Sequence, residues 1–180
     1  MEKISLIKRR KVVAAEAGRG RPPAADELCE EQVSSDADFY IDEMDLKNIY
    51  LLNGIEPESV IGVLDVCAIR ELKPQEILIA PDTPNRTVFF ILTGRLRIHL
   101  DSPGTQPIAV LDPGESVGEM SVVDHKQALA YVIADTSCTL LAMEEDTLWS
   151  LVNSSHMIAR NLLFALVKKL RHADAEFPAV

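Results

Sequence analysis

The sequence is poor in the residue types that would place it in several large protein classes. Its 180 residues include only three cysteines, and none lies in a Cys-x-x-Cys pair or beside a histidine at ligand spacing. This pattern excludes a disulfide scaffold and a structural zinc site, and it fits a reducing compartment. No apolar run approaches the roughly 20 residues of a membrane-spanning helix, and no secretory leader is recognisable. We therefore expect a soluble, cytoplasmic protein without membrane contact.

Sequence patterns typical of enzymes and of metal sites are also missing. The sequence contains no Gly-x-Ser-x-Gly, no phosphate-binding Gly-Lys-Ser/Thr and no Cys/His nucleophile pattern, so we expect no catalytic activity. The four histidines form no His-x-His or His-x-x-x-His pair, which predicts no metal site. We expect His99 on a strand surface and His125 at a loop tip. The formal net charge of −10 disfavours a duplex nucleic-acid surface on the body of the chain.

Charge is concentrated near the start of the chain. Residues 1–22 contain seven Lys and Arg against two Glu, whereas residues 26–45 contain nine carboxylates and no basic residue. Both stretches are short of apolar residues, and a Gly- and Pro-rich cluster separates them. We interpret residues 1–44 as a charged, flexible extension that is either a solvated tail or a docking arm for a partner protein. The remaining residues, 45–180, form one domain.

Beyond the extension, two short helices precede a region of short strands. The first helix ends at Gly54, and the second begins around Pro57 and continues to Val66. Seven short apolar runs with turn residues between them then predict strands at 68–72, 77–80, 87–92, 96–100, 108–111, 129–134 and 139–143. No helix-length crossover separates them, so the pattern predicts a mainly β roll or sandwich with flanking helices.

The predicted last helix, Ser155 to Arg171, has two apolar stripes where a surface helix needs one. One stripe contains Ile158, Leu162, Ala165 and Leu166, and the other contains Leu163, Phe164, Val167 and Leu170. The second stripe favours a homodimer across this helix, the alternative being a helix buried within its own core. Its last turn carries Lys168 and Lys169, which we interpret as complementing the helix dipole.

One segment carries a chemical signal. A Pro-Gly turn at Asp112–Gly114 leads into Val117-Gly118-Glu119-Met120-Ser121, with no further turn signal until Asp124. Gly118 allows another group to come close to the backbone, and the next residues can form one helical turn whose N–H groups favour an anion. Glu119 would repel a phosphate, so it is better suited to accept hydrogen bonds from a sugar hydroxyl.

With these motifs, residues 45–172 resemble the cyclic-nucleotide-binding domain family. The resemblance rests on Thr93-Gly94-Arg95-Leu96, on Leu111-Asp112-Pro113-Gly114-Glu115 and on Val117-Gly118-Glu119-Met120-Ser121. It implies a β-roll, a double-stranded β-helix or jelly roll, with N-terminal helices and a long C-terminal helix. It also implies that the segment 117–129, here called the cassette, holds a cyclic nucleotide such as cyclic AMP or cyclic GMP. Glu119 would take the ribose 2′-hydroxyl, and backbone amides would meet the cyclic phosphate.

The cassette departs from the family pattern at the position of the phosphate-binding arginine. The family places an arginine about nine residues after the glutamate, but Ala128 stands at that position and Leu129 follows it. A shielded arginine–phosphate contact is worth roughly 1.5–3 kcal/mol, so its loss predicts affinity at least about ten-fold lower. Lys126 offers a point charge without the planar fork. The candidate ligand-binding residues are Val117, Gly118, Glu119, Met120, Ser121, Lys126, Ala128 and Leu129.

Two functions from different classes remain open. The domain is a non-catalytic regulatory or sensor module that binds a cyclic nucleotide or a related phosphate ligand weakly or by a modified contact, and an unidentified protein partner reads it. Alternatively, the pocket is degenerate and the domain is a ligand-free dimerisation or protein-interaction scaffold. Direct DNA binding is not expected, because few residues follow the last helix and a helix-turn-helix module needs more. A metal-dependent β-roll enzyme is a third, weaker interpretation.

Overall fold

The computed structural model describes residues 8–9, 39–40 and 43–176. Within the predicted extension, strand β1 (Lys8–Arg9) pairs antiparallel with β2 (Phe39–Tyr40). The other residues of that extension, apart from 43 and 44, lie outside the described part of the chain, so its predicted flexibility and docking role stay predictions.

Short helical pieces lead into the strands. Helix α1 (Glu43–Asn48) is followed by 3₁₀ turns at Tyr50–Leu52 and Pro57–Ser59 and by α2 (Ile61–Leu64). The helix predicted from Pro57 to Val66 is therefore two shorter pieces. The Tyr50 N–H donates to the carbonyl oxygen of Gly114 at 3.1 Å, which fastens these helices to the turn before the cassette.

Eight antiparallel strands form two four-stranded sheets. The first sheet has the order β3-β10-β5-β8, and the second has the order β4-β9-β6-β7. The strands are β3 (Ala68–Leu72), β4 (Ile77–Ile79), β5 (Thr87–Thr93), β6 (Leu96–His99), β7 (Ala109–Leu111), β8 (Ser116–Val117), β9 (Tyr131–Ala134) and β10 (Cys138–Glu144). This architecture confirms the predicted β-roll with flanking helices.

The first sheet is buried on both faces. Along β5, Val88, Phe90 and Leu92 face the helices, whereas Phe89 and Ile91 face the second sheet. Because successive side chains of a strand point to opposite faces, a strand covered on both sides needs an unbroken apolar run. This burial explains the Val88–Leu92 sequence, which has no polar alternation.

Two elements differ from the sequence-based expectation around the cassette. Strand β8 was not predicted, because two residues inside a turn-rich segment show no alternation. The strand predicted at 129–134 begins only at Tyr131. The reason is local: Ala128 N–H donates to the Thr83 carbonyl oxygen (3.0 Å), and the Ala128 carbonyl accepts from the Asp82 N–H (2.9 Å). These bonds hold residue 128 against a loop instead of a sheet.

Three helices complete the described fold. Helix α3 (Glu119–Asp124) lies inside the cassette, and α4 (Glu145–Ser154) and α5 (His156–Glu176) close the roll. One apolar stripe of α5 faces the chain's own core: Ile158 and Leu162 are buried in the helix-side core, and Leu166 packs against it. Nowhere in the described part of the chain is a helix both long and apolar enough to cross a bilayer.

Candidate functional site

Gly118 brings the start of the cassette against strand β5. Its φ is 94°, and a Cβ atom there would lie 2.4 Å from the Thr87 carbonyl oxygen and 2.8 Å from Asn85 Nδ2. The Asn85 amide donates to the carbonyl oxygens of Thr87 (2.9 Å) and Gly118 (3.2 Å). Only glycine fits this backbone without strain. The predicted close approach is present, and the group that approaches is the chain's own backbone.

Glu119 begins α3 and is buried, with 1% of its surface exposed. Its Oε1 forms an ion pair with Lys169 Nζ of α5, and that ammonium also donates to the Ser116 carbonyl oxygen at 2.6 Å. Among the described residues, none donates a hydrogen bond to Glu119 Oε2. A buried carboxylate oxygen without a donor is costly and therefore uncommon. Glu119 Oε2 therefore retains the capacity to accept a hydrogen bond from a hydroxyl or amine.

The neighbouring lysine holds a second carboxylate just before the cassette. Lys168 Nζ lies 2.6 Å from Glu115 Oε1, and the Asp112 N–H donates to Glu115 Oε2 at 3.0 Å. Burial acts to raise the pKa of Glu115, but these hydrogen bonds and the charges of Lys168 and Lys169 together hold it below its usual value. Glu115 is therefore a stable anion at neutral pH.

Sequence analysis missed this role for the two lysines, which it assigned to the helix dipole. A signal was available in the helical spacing. Lys169 follows Leu162 and Leu166 by seven and three residues, so it continues the stripe that faces inward. The adjacent Lys168 is more exposed, at 63% of its side chain against 24% for Lys169.

The far end of the cassette has no cation directed toward Glu119. Ala128 is buried at 7% in the core between the two sheets. Leu129 is 73% exposed, so it does not fill the roll. Lys126 is exposed over 77% of its side chain and lies 3.5 Å from Asp124 Oδ2. Its contact with a ligand phosphate stays a prediction.

The other predicted ligand-binding residues have different surroundings. Val117 is buried between the sheets and pairs with Phe89 of β5. Met120 is 52% exposed. Ser121 is buried and borders a cavity that is also lined by residues 84–86 and by Glu145. The structure thus brings Gly118 and Glu119 together with Lys169, but not with Lys126 or Leu129, and the binding role of each residue stays a prediction.

The cavity beside Ser121 has a volume of about 280 Å³. Its polar lining comes from three separate segments: Asn85, Arg86, Ser121, His125, Lys126, Gln127 and Glu145. Glu145 Oε2 lies 2.8 Å from Arg86 Nε, and Glu145 Oε1 lies 3.3 Å from His125 Nδ1. The hydrogen bond to Glu145, followed by its charge, raises the pKa of Arg86 above its ordinary value. No sequence pattern joins these residues, so sequence analysis could not group them.

The second stripe of α5 has no cover within the described chain. Leu163, Phe164, Val167 and Leu170 are 63%, 55%, 45% and 61% exposed. The alternative of a helix buried in its own core therefore does not describe this face. Homodimerisation through it stays a prediction.

His99 differs from its predicted place. We expected it on a strand surface, but it is 0% exposed, and neither ring nitrogen has a hydrogen-bond partner among the described residues. Strand β6, which carries it, is flanked by both β7 and β9. His99 lies opposite Tyr131 of β9, and its ring is enclosed in the protein interior instead of lying on the strand surface.

Comparison with known proteins identifies the fold's relatives. Residues 69–155 match the family model of the cyclic nucleotide-binding domain. The chain is 30% identical over 134 residues to the cyclic AMP receptor protein of Thermus thermophilus, covering 73% of this chain. It spans 62% of that protein's length.

Solved structures agree. The crystal structure of the Thermus thermophilus catabolite activator protein has a TM-score of 0.62 at 28% identity, and the match covers 71% of this chain and 61% of that one. A cyclic nucleotide-binding domain from Methylobacillus flagellatus has a TM-score of 0.65 at 22% identity, covering 74% and 81%. These matches confirm the resemblance: this chain contains a β-roll domain that belongs to the cyclic nucleotide-binding family.

Proposed function

We propose that this domain is a non-catalytic regulatory module that binds a cyclic nucleotide, cyclic AMP or cyclic GMP, or a related phosphate ligand at the cassette. The observation that carries this proposal is the Glu119 carboxylate. It is buried to 1% exposure, and its Oε2 accepts no hydrogen bond from the described residues. A ribose 2′-hydroxyl is a donor of suitable size, and a buried charged acceptor gives it a strong hydrogen bond.

The proposal includes weak binding. Ala128 stands where the family has an arginine, and its side chain lies in an apolar core. Without the planar guanidinium the phosphate loses a bidentate contact. We therefore expect an affinity lower by at least about ten-fold than a cassette with that arginine would have.

A homodimer through α5 is the second part of the proposal. Four large apolar side chains along one face of this helix are 45% to 63% exposed. A second copy of the chain would present the same stripe, which is how a two-fold interface is self-complementary. Since Lys169 on the same helix contacts Glu119, a ligand at the cassette would influence this interface.

The runner-up function is a ligand-free scaffold for dimerisation or protein interaction. It is favoured by the ion pair at Glu119, because Lys169 already neutralises the carboxylate that a sugar would need. In this alternative the α5 stripe alone carries the function, and the cassette is a structural part of the roll.

Calorimetric titration of the full chain with cyclic AMP and cyclic GMP separates the two. The regulatory module predicts a Kd tighter than about 100 μM that is lost in Glu119→Gln. Glu58→Gln, on an exposed turn away from the cassette, is the matched control and retains binding.

If the wild-type protein shows no heat of binding at millimolar cyclic nucleotide, the result favours the ligand-free scaffold. Ala128→Arg then tests the pocket directly. Strong binding of cyclic nucleotide by this variant identifies a ligand pocket that lacks only its arginine. If the variant also shows no binding, the ligand-binding proposal is rejected. Circular dichroism of each variant confirms that the fold is retained.

A further inference from the structure

Two adjacent lysines of α5 form ion pairs at or next to the cassette, and only Lys169 contacts a cassette residue. Lys168 is 63% exposed and pairs with Glu115, which precedes the cassette. Lys169 is 24% exposed, and its ammonium contacts both Glu119 Oε1 and the Ser116 carbonyl oxygen. The more buried lysine is therefore the one beside the predicted ribose acceptor.

Among the described residues, Lys169 is the cation in contact with Glu119. Position 128 provides a methyl group, and Lys126 is turned to solvent beside Asp124. Arg86 is hydrogen-bonded to Glu145 and not to Glu119. If the sugar of a nucleotide is bound to Glu119, the positive charge nearest to its phosphate is therefore expected to be Lys169 of α5, not a residue of the cassette.

We propose that Lys169 supplies the phosphate-binding charge that the cassette lacks at position 128. This inference rests on the proposed function. In a 3′,5′-cyclic nucleotide the phosphate bridges O3′ and O5′, and the 2′-hydroxyl sits on the carbon next to C3′. A ligand that donates its 2′-hydroxyl to Glu119 therefore carries its phosphate close to the present position of Lys169 Nζ.

The exchange needs no large movement, and it adds the single negative charge of the phosphate to the site. In the free protein the ammonium neutralises the Glu119 carboxylate. In the complex the sugar hydroxyl takes that carboxylate, and the ammonium turns to the phosphate on its flexible four-carbon side chain. In the complex the ammonium pairs with the phosphate, and the carboxylate is stabilised by the hydrogen bond from the sugar hydroxyl instead of by a counter-ion.

The opposing role for Lys169 is that of a plug. An ammonium that only blocks Glu119 would compete with every ribose, whether or not a phosphate is attached. A phosphate-binding ammonium instead favours the nucleotide over the nucleoside. The two roles predict opposite effects of the same substitution, so they can be separated by experiment.

The test is a calorimetric comparison of cyclic AMP with adenosine, which has the same 2′-hydroxyl and no phosphate. In Lys169→Gln we expect the affinity for cyclic AMP to fall about ten-fold or more, and its advantage over adenosine to disappear. Lys169→Arg keeps the charge and adds a fork, so it binds cyclic AMP at least as tightly as the wild type. Lys168→Gln is the matched control and leaves both affinities unchanged.

The contrary outcomes are distinct. If Lys169→Gln binds both ligands more tightly, or if Lys169→Arg binds both more weakly, Lys169 is a plug and the inference is wrong. Unchanged cyclic AMP binding by Lys169→Gln also overturns it. In these cases the proposed function stands. If neither the wild type nor Ala128→Arg binds cyclic AMP, the proposed function fails, and this inference fails with it. Should Lys169→Gln lose its fold, the Lys169→Arg comparison still decides.

Discussion

The side-chain amide of Asn161 donates to the carbonyl oxygen of Leu51 at 3.0 Å, across the boundary between the first and last helical segments. The same nitrogen donates to the carbonyl oxygen of Asn53 at 2.8 Å. Asn161 is 6% exposed and lies on the inward face of α5. This pair of bonds fixes the height at which α5 crosses the N-terminal turn, and so the height at which its lysines reach the cassette.

Asn161→Leu should destabilise the protein by about 1–3 kcal/mol. The substitution keeps the side-chain size but leaves the Leu51 carbonyl buried without its donor, which costs about that much. The measurement is the free energy of unfolding in urea. Asn153→Leu, exposed on α4, serves as the control and should change it by less than about 0.5 kcal/mol. Equal effects of the two substitutions would contradict the role of the Asn161 bonds.

Gly118→Ala should destabilise the protein by more than about 2 kcal/mol or prevent folding. The new Cβ would lie 2.4 Å from the Thr87 carbonyl oxygen, on a backbone with φ of 94°. Gly62→Ala is the matched control, since nothing lies within 4 Å of its Cβ and it sits in helix α2. There alanine should be neutral or stabilising by up to about 1 kcal/mol. Thermal unfolding followed by circular dichroism tests both, and a stable Gly118→Ala variant would refute this geometry.

The Glu115–Lys168 contact should stabilise the protein only above the acid range. The folded-state pKa of Glu115 lies below its ordinary value of 4.5. A lowered carboxylate pKa adds stability above the unfolded pKa, and this stability is lost as the pH falls through the folded pKa. Glu115→Gln should therefore be less stable than the wild type at neutral pH, by less than about 1 kcal/mol because the pair is partly exposed.

In strong acid the two proteins should converge in unfolding free energy. Urea unfolding across the acid range measures this convergence, with Glu58→Gln as an exposed control that follows the wild type throughout. A gap between wild type and Glu115→Gln that keeps the same size in acid would show that the substitution acts through packing instead of charge.

Leu163→Glu combined with Val167→Glu should convert a dimer to a monomer. Both side chains lie on the exposed stripe of α5, and two carboxylates at the centre of an apolar interface would be desolvated without partners. Light scattering measures the mass. The control is Ser150→Glu with Asn153→Glu on the exposed face of α4, which should leave the mass at twice that of the chain. An unchanged mass in the α5 variant would show that the dimer does not form through the exposed stripe of α5.

The sequence was sufficient for the roll because its determinants are local. Turn residues bound the apolar runs, so seven of the eight strands of the roll were predicted to within about two residues at each end. The Gly118-Glu119 pair was also visible, since a left-handed glycine and a carboxylate after it leave a recognisable pattern. Strand β8 was missed because its two residues owe their pairing to β5, not to their own composition.

The surroundings of Glu119 were only half predictable. Lys169 lies 50 residues further along the chain, and only the packing of α5 onto the roll places its ammonium there. The exposure of the Leu129 side chain could not be predicted from the sequence for a similar reason. Its exposure follows from the two backbone bonds that tie Ala128 to the loop at 82–83, and such bonds leave no trace in residue type.

Helix α5 carries an inward anchor at Asn161, an outward apolar stripe and a cassette contact at Lys169 on one rigid rod. Each residue added to an α-helix turns everything beyond it by about 100° and shifts it by about 1.5 Å. A single insertion or deletion between Asn161 and Lys169 would thus swing the ammonium away from Glu119 while the anchor stayed in place. The number of residues between Asn161 and Lys169 is therefore as strictly constrained as the two side chains themselves.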